Sequence, residues 1–308
     1  MKAILVGAVE SSRIALKCLA ASPRWDLKAV FTLPPDLAGR HSDFVDLSAD
    51  CESVGTRIVH TANINSDAAL QAIRAMEPDY IFVIGWSQIC GADFRATAGK
   101  GVVGYHPAPL PRLRGRAVIP WTILLNEPIS ASSLFLIDEG VDSGPLLGQR
   151  YFHLSPDETA ATLYAKHMAK LDEMLPPVLE DIASGSPQLT VQDERNATYA
   201  ARRRPEDGLI DWTQPAAAVW RCVRACGDPY PGAWTILGND RIVIKTAVPV
   251  LLHHHAAAMA GQIVERGEGN FTVKCGDDQG LLVSQWQTTR ESPLPNHAVL
   301  GRPKAEAA

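Results

Sequence analysis

The sequence predicts an α/β protein, an open and mostly parallel sheet followed by a small all-β unit, and three observations predict it. Short apolar runs alternate with helical stretches from Lys2 to Tyr105, which implies right-handed βαβ crossovers. A long helix with a clear start signal follows at Ser155. The C-terminal third holds brief strands separated by glycine turns, the pattern of a small barrel or sandwich. With 308 residues the chain can build one large and one smaller domain, and its composition, 46% hydrophobic and 20% charged, is ordinary for a protein with a buried core.

"KAILVGAVESSRIALKCLAAS" reads as a buried strand, a glycine turn and a helix with Ile14, Leu16, Cys18 and Leu19 at its apolar positions. "DLKAVFTL", "TRIVHT" and "PDYIFVIGW" are further strands, with a helix over Asp67–Met76. "ISASSLFLIDEGVDSGPLLGQRYFHL" reads as two strands joined by an acidic turn. In "SPDETAATLYAKHMAKLDEMLPPVLEDIASG", Ser155 is the expected N-cap, Pro156 opens the first turn, Glu158 closes a capping box, and Gly185 with Pro187 stops the helix. The polar stretch after it reads as a linker, so the domains are expected at 1–195 and 205–308. In the second, a helix over Ala216–Ala225 precedes "AWTILG", "RIVIKTAVPVLL", "GQIVERG", "NFTVKCG" and "GLLVSQWQ".

Bulk properties exclude several classes. A formal charge of −5 argues against binding along a nucleic-acid backbone, which needs clustered cations. No apolar run approaches the roughly 18–20 residues of a membrane span, and the N-terminal run breaks too early for a signal peptide, so a cytoplasmic protein is expected. The six cysteines are scattered, and Cys222 and Cys226 share a helix face without a second pair to complete a zinc site. The His253–His255 tract reads as a strand end or loop rather than a metal site. Gly7 does not open a G-x-G-x-x-G fingerprint, so no dinucleotide site is expected.

Open sheets of this kind bind ligands beyond the carboxyl ends of their strands, here after Val6, Phe31, Ile84 and Tyr105. His106 sits at such an end, and Pro107, Pro109 and Pro111 stiffen the loop after it. A rigidly held imidazole suits acid–base chemistry; the alternative is a capped surface histidine. Asp138 and Asp142 follow in the acidic turn, where a carboxylate can orient the ring or merely be solvated. Arg112, Arg114 and Arg116 suit a phosphate or diphosphate, with at least one expected to tie the loop to nearby carboxylates instead. Arg202–Arg204 read as a solvated linker. Trp86 in "GWSQI" can line a flat heteroaromatic pocket or belong to the core.

"HPAPLPRLRGRAVIPW" followed by "DEGVDSGPLL" resembles the signature of the folate-dependent formyltransferase family, and the similarity continues through "SPDETAATLYAKHMA" and "NATYAARRRPEDGLIDWTQPAAAVWRCVRACGDPYPGAWT". The resemblance implies a Rossmann-like catalytic domain of the formyltransferase fold with a small C-terminal OB-like β-barrel, and N10-formyltetrahydrofolate as donor. It implies catalysis by His106 and Asp142. It also implies a pterin pocket from Trp86, Ser87, Gln88 and Ile89 together with Ile137, Asp138 and Gly140. The family's asparagine, two residues before the histidine, is Gly104 here, which removes an amide donor to the oxyanion; Gln88, Ser87 or a backbone amide are the substitutes available in the sequence.

Three acceptors fit the resemblance. "RGRA" followed by Trp121 is similar to the formyltransferase domain of the bacterial aminoarabinose-modifying enzyme, which implies a nucleotide-linked amino sugar with Arg114 and Arg116 at its diphosphate. The Y-H-P segment without asparagine is similar to the hydrolase domain of formyltetrahydrofolate dehydrogenase. Methionyl-tRNA is disfavoured by the acidic charge and by the lack of a lysine-rich insertion after the second strand. A folate-binding protein without activity has Gly104 as its only support. No metal is implied, and a homodimer is left open.

Overall fold

The first strands are apolar on both sides because both faces of their sheet are covered. In this computed structural model, which describes residues 1–40, 42–252, 254, 257–290 and 292–302, β1 (Lys2–Val6), β2 (Asp26–Thr32), β3 (Arg57–His60), β4 (Tyr80–Val83) and β5 (Gly101–His106) run parallel. Between them lie α1 (Glu10–Ala21), α2 (Ser48–Ser53), α3 (Asp67–Arg74) and α4 (Ala92–Arg95). After a two-residue strand, β6 (Arg114–Gly115), and the helix α5 (Val118–Leu124), β7 (Ile129–Leu136) and β8 (Leu146–His153) extend the sheet antiparallel. The strand order is β3-β2-β1-β4-β5-β7-β8.

Alternate residues of these strands enter two cores. Ala3, Leu5, Val30, Phe82, Ile84 and Val103 face one cluster; Ile4, Val6, Ala29, Phe31, Ile81, Val83 and Val102 face the other. The first cluster is covered by α6 (Ala160–Ala183), which buries Leu171, Met174, Leu175, Val178, Leu179 and Ile182, a spacing that keeps one helix stripe on the sheet. Pro176 and Pro177 lie inside this helix on its exposed side. The carbonyls of Asp172 and Glu173 lose their helical donors there, on the face open to solvent.

The expected start of this helix is displaced. Ser155 and Glu158 do form reciprocal bonds, Ser155 N–H to the Glu158 carboxylate at 2.9 Å and Glu158 N–H to the Ser155 carbonyl at 3.0 Å, but these close a separate turn. The helix begins at Ala160, with the Thr159 hydroxyl accepting from Thr162 N–H at 3.2 Å.

β1 lies between β2 and β4, so the chain departs in opposite directions on its two sides and leaves a crevice at the strands' carboxyl ends. Ser12 staples that crevice. Its buried hydroxyl donates to the Ile84 carbonyl at 2.6 Å and accepts Val9 N–H at 3.1 Å, joining the turns after β1 and β4. Gly85 has φ +78°, and a Cβ there would stand 2.3 Å from Val9 Cγ2, so only glycine fits.

Behind β5, Tyr105 and Ser132 share a hydrogen bond at 3.0 Å, and Ser132 Oγ meets His167 Nδ1 at 2.9 Å. His167 is fully buried, edge-on to Phe152, with its Nε2 unpartnered. Burial pulls its pKa down to about 3, with His106 adding to the effect.

The chain folds into two compact units, the first of residues 1–118, 129–154 and 164–201, the second of residues 119–128, 155–163 and the described residues from Arg202 to Arg302. The second unit thus takes in two short segments that the sequence reading assigned to the first domain. After β9 (Tyr199–Ala200) comes α7 (Ala216–Cys226), then β10 (Ala233–Leu237), β11 (Asp240–Leu251), β12 (Ile263–Arg266), β13 (Phe271–Lys274) and β14 (Gln279–Thr288). The last five form an antiparallel sheet in the order β10-β11-β14-β13-β12. Residues 297–302 bridge its two edges: Ile263 N–H donates to Ala298 O at 2.9 Å, and Gly301 N–H to Ile236 O at 2.8 Å. That arrangement gives the sheet the barrel-like closure expected of it. α7 packs Ala216, Val219, Val223 and Cys226 onto Ile242, Ile244, Phe271 and Val283. Arg203, read as solvated, instead lies 5.1 Å over the Trp121 ring and donates to Asp207 O at 2.5 Å. Of the histidine tract, His254 lies in a turn past β11, while His253 and His255 lie outside the described residues. Among the described residues no helix is long and apolar enough to cross a membrane.

Two predictions concern stability. Ser12→Ala leaves Val9 N–H and Ile84 O without their buried partner, and denaturant unfolding is expected to show a loss of about 1–3 kcal/mol. Because folded His167 resists protonation that the unfolded chain accepts below its ordinary pKa of 6.5, stability is full above that value and falls as pH drops toward 3. His167→Gln should flatten this limb of the melting-temperature profile; an unchanged slope would show that His167 does not generate it.

Candidate active site

β5 delivers His106 to its carboxyl end, and the loop after it folds back to grip the ring. His106 Nε2 stands 2.7 Å from the Leu113 carbonyl. A carbonyl only accepts, so Nε2 carries the hydrogen and Nδ1 is the nitrogen left for chemistry. Nδ1 faces the Asp142 carboxylate, with Oδ2 at 3.6 Å, beyond hydrogen-bond range but within reach of an ion pair. The His106 side chain is 8% exposed and the Asp142 side chain 22%, so the carboxylate is the more accessible partner.

Asp142 is held at its carboxylate and at its backbone. Its Oδ2 accepts Gly115 N–H at 2.8 Å. Its carbonyl accepts Gln192 Nε2 at 2.8 Å, and the same amide group donates to Gly144 O at 2.7 Å. Its backbone is left-handed, with φ +53°, as is that of Leu113, Gly115 and Ala117 across the loop (φ +59°, +104° and +55°). Non-glycine residues in that region cost roughly 1–2 kcal/mol each and persist where their surroundings fix them.

Arg114 does the fixing. The expectation that it meets a diphosphate is corrected here: its side chain is 1% exposed and its donors are occupied. Nε and Nη2 donate to Gln192 Oε1 at 3.2 and 2.9 Å, Nη1 and Nη2 reach the Glu194 carboxylate at 2.9 and 2.6 Å, and Nη1 also reaches Tyr199 OH at 3.2 Å. Glu194 raises the guanidinium above the ordinary arginine range, and Arg114 in turn lowers the Glu194 carboxyl below its own. Pairing of β6 with β9 adds Arg114 N–H to Thr198 O at 2.9 Å and Arg116 N–H to Ala200 O at 3.0 Å. Arg112 and Arg116 are exposed on the same loop.

Gln192, Glu194 and Thr198 therefore belong to the site, although they lie in the stretch read as a linker. The signal in the sequence was indirect: an arginine that is to be buried requires acceptors, and "VQDERNATY" supplies an amide, carboxylates and a phenol together.

The remaining predicted residues divide in their roles. Trp86 and Ile137 pack against the same apolar cluster, and Trp86 Nε1 is buried without a hydrogen-bond partner. Gln88 is corrected as a substitute oxyanion donor, because its Nε2 donates to Ala62 O at 2.7 Å and its Oε1 accepts Ile64 N–H at 3.1 Å. Ile89 is 78% exposed, and its carbonyl accepts from Asn65 Nδ2 at 2.9 Å. Asp138 braces its own turn, accepting Gly140 N–H at 3.0 Å and Ser143 Oγ–H at 2.8 Å. Ser87 is exposed on its loop. At Gly104 a Cβ would stand 2.7 Å from Phe135 Cζ and 2.9 Å from Ile137 Cγ1, so the phenyl ring occupies the space a larger side chain would need.

The fold has counterparts. Sugar 3N-formyl transferase WlaRD, solved in the presence of dTDP and 5-N-formyl-THF, superposes with a TM-score of 0.66 at 17% identity, over 95% of this chain and 99% of its own. An N-formyltransferase from Helicobacter canadensis, in complex with folinic acid and dTDP-3-aminofucose, gives a TM-score of 0.66 at 16% identity, over 92% of this chain and 98% of its own. HypX from Aquifex aeolicus gives 0.63 at 18% identity over 92% of this chain, which spans only 45% of HypX. The formyl transferase family model matches residues 10–179, and the model of the formyl transferase C-terminal domain matches residues 203–302. The first of these covers more than half of the sequence and contains both His106 and Asp142: the chain belongs to the formyl transferase family.

Proposed function

We propose that this enzyme moves the formyl group of N10-formyltetrahydrofolate onto the amine of a nucleotide-linked amino sugar. The observation that carries the reading is co-extension: the two sugar N-formyltransferases match the chain across both its units and across nearly all of their own length. HypX, by contrast, is more than twice as long as the matched region.

The folate donor supplies an activated formyl carbon. Trp86 Nε1, an orphaned buried donor, fits a flat heteroaromatic acceptor such as a pterin edge. Ser87, Ile89, Asp138 and Gly140 would border it through their loops. Nε2 of His106 is spent on Leu113, so Nδ1 takes the proton released as the acceptor amine bonds to the formyl carbon, and returns it to the departing nitrogen. Asp142 stabilises the imidazolium formed in between. Arg112 and Arg116 are assigned to the diphosphate, without Arg114.

Hydrolysis of the folate is the second reading, favoured by one observation: the Phe135 ring fills the place beside Gly104 from which the family's amide would donate.

His106→Ala and Asp142→Asn are each expected to lower turnover by about 10²- to 10⁴-fold while folate binding, followed by fluorescence titration, persists. Undiminished turnover in either variant would remove this mechanism. A mass-spectrometric screen with formyltetrahydrofolate separates the readings. A product heavier by one carbonyl unit with an aminated nucleotide sugar supports transfer, whereas formate release with water alone decides for hydrolysis.

A further inference from the structure

We propose that the C-terminal unit carries a second binding site, for a small organic oxyanion (a carboxylate or a phosphate), anchored by Arg224. The site is a cavity of about 310 Å³ lined entirely by residues of that unit, none of them shared with the His106–Asp142 site. Its size is at the lower end for small-molecule pockets, which run from about 300 to 1,000 Å³. It therefore suits a compact acid rather than a whole nucleotide.

Arg224 lies on α7, is 8% exposed, and lines the cavity. One donor is committed, with Nη1 bonded to the Glu158 carbonyl at 2.6 Å, and the guanidinium plane is fixed 4.1 Å over the Trp220 ring. The other edge is unpaired: Nε is buried without a partner, and Nη2 makes no hydrogen bond to a described residue. Nε and Nη2 are the two parallel donors with which arginine grips the paired oxygens of a carboxylate or phosphate. A buried guanidinium edge with nothing opposite it is costly unless a ligand completes it.

The surroundings add positive potential. The first turn of α6 meets the cavity through Thr159 and Ala161, where helix amides lack internal acceptors. Lys245 also lines it, one quarter exposed. Two carboxylates are present, but each is already engaged: Asp228 pairs with Lys245 at 3.2 Å, and Asp157 accepts the Ser155 hydroxyl. Burial, with Arg221 alongside, holds the Arg224 guanidinium below the ordinary arginine range despite Asp157 and Glu158, so these acids do not fully compensate it.

The test is titration of the whole protein with inorganic phosphate and, separately, with acetate, following the Arg224 Nε–H resonance by nitrogen-15 NMR. A saturable shift in the millimolar range is expected for at least one anion. Stronger phosphate binding assigns a phosphoryl ligand, and stronger acetate binding a carboxylic acid. By calorimetry, Arg224→Gln should weaken that anion about tenfold or more, and Lys245→Gln by a smaller factor. Should Arg224→Gln fail to fold, Lys245→Gln, on a partly exposed strand position, carries the comparison. Absence of a saturable shift with both anions, or unchanged affinity in every folded variant, overturns the proposal.

Discussion

A buried guanidinium sets the terms for the whole candidate site. Arg114 has almost no contact with water, and a charge so placed is tolerable only when each donor finds an acceptor. Gln192 and Glu194 meet that demand, and Gln192 passes the constraint on, because its amide nitrogen holds the backbone of Asp142 and Gly144. The loop carrying Leu113 and Gly115 is then fixed against the loop carrying Asp142. The acceptor for His106 Nε2 and the donor to Asp142 Oδ2 both come from that first loop. The placement of His106 and Asp142 thus follows from packing several residues removed from them.

The fold was largely legible because its central strands are covered on both faces and so read as unbroken apolar runs. Glycine turns and the stripe from Leu171 to Ile182 made the later elements readable too. The start of α6 is hard to read because the Glu158 carboxylate does accept Ser155 N–H, as in a capping box, but on a turn that precedes the helix. Residues 119–128 and 155–163 belong to the second unit, which no local pattern announces.

The site was legible in part. His106 and Asp142 stand in one motif pair, and the structure places them side by side. The part played by Arg114 was hidden because its partners lie 78 and 80 residues further on, in a polar segment with no periodicity to mark it. Gln88 looked available for the reacting centre, yet its amide anchors one loop to the next. In each case what decided the role was whether a polar group's hydrogen bonds were already taken, a quantity that depends on tertiary neighbours.

The phenyl ring of Phe135 limits what residue 104 can be. Since it fills the volume next to Gly104, bulk at one of these positions excludes bulk at the other. A side chain introduced at residue 104 needs both the Phe135 ring and Ile137 to give way, so a change at this glycine is coupled to the packing of its two neighbours.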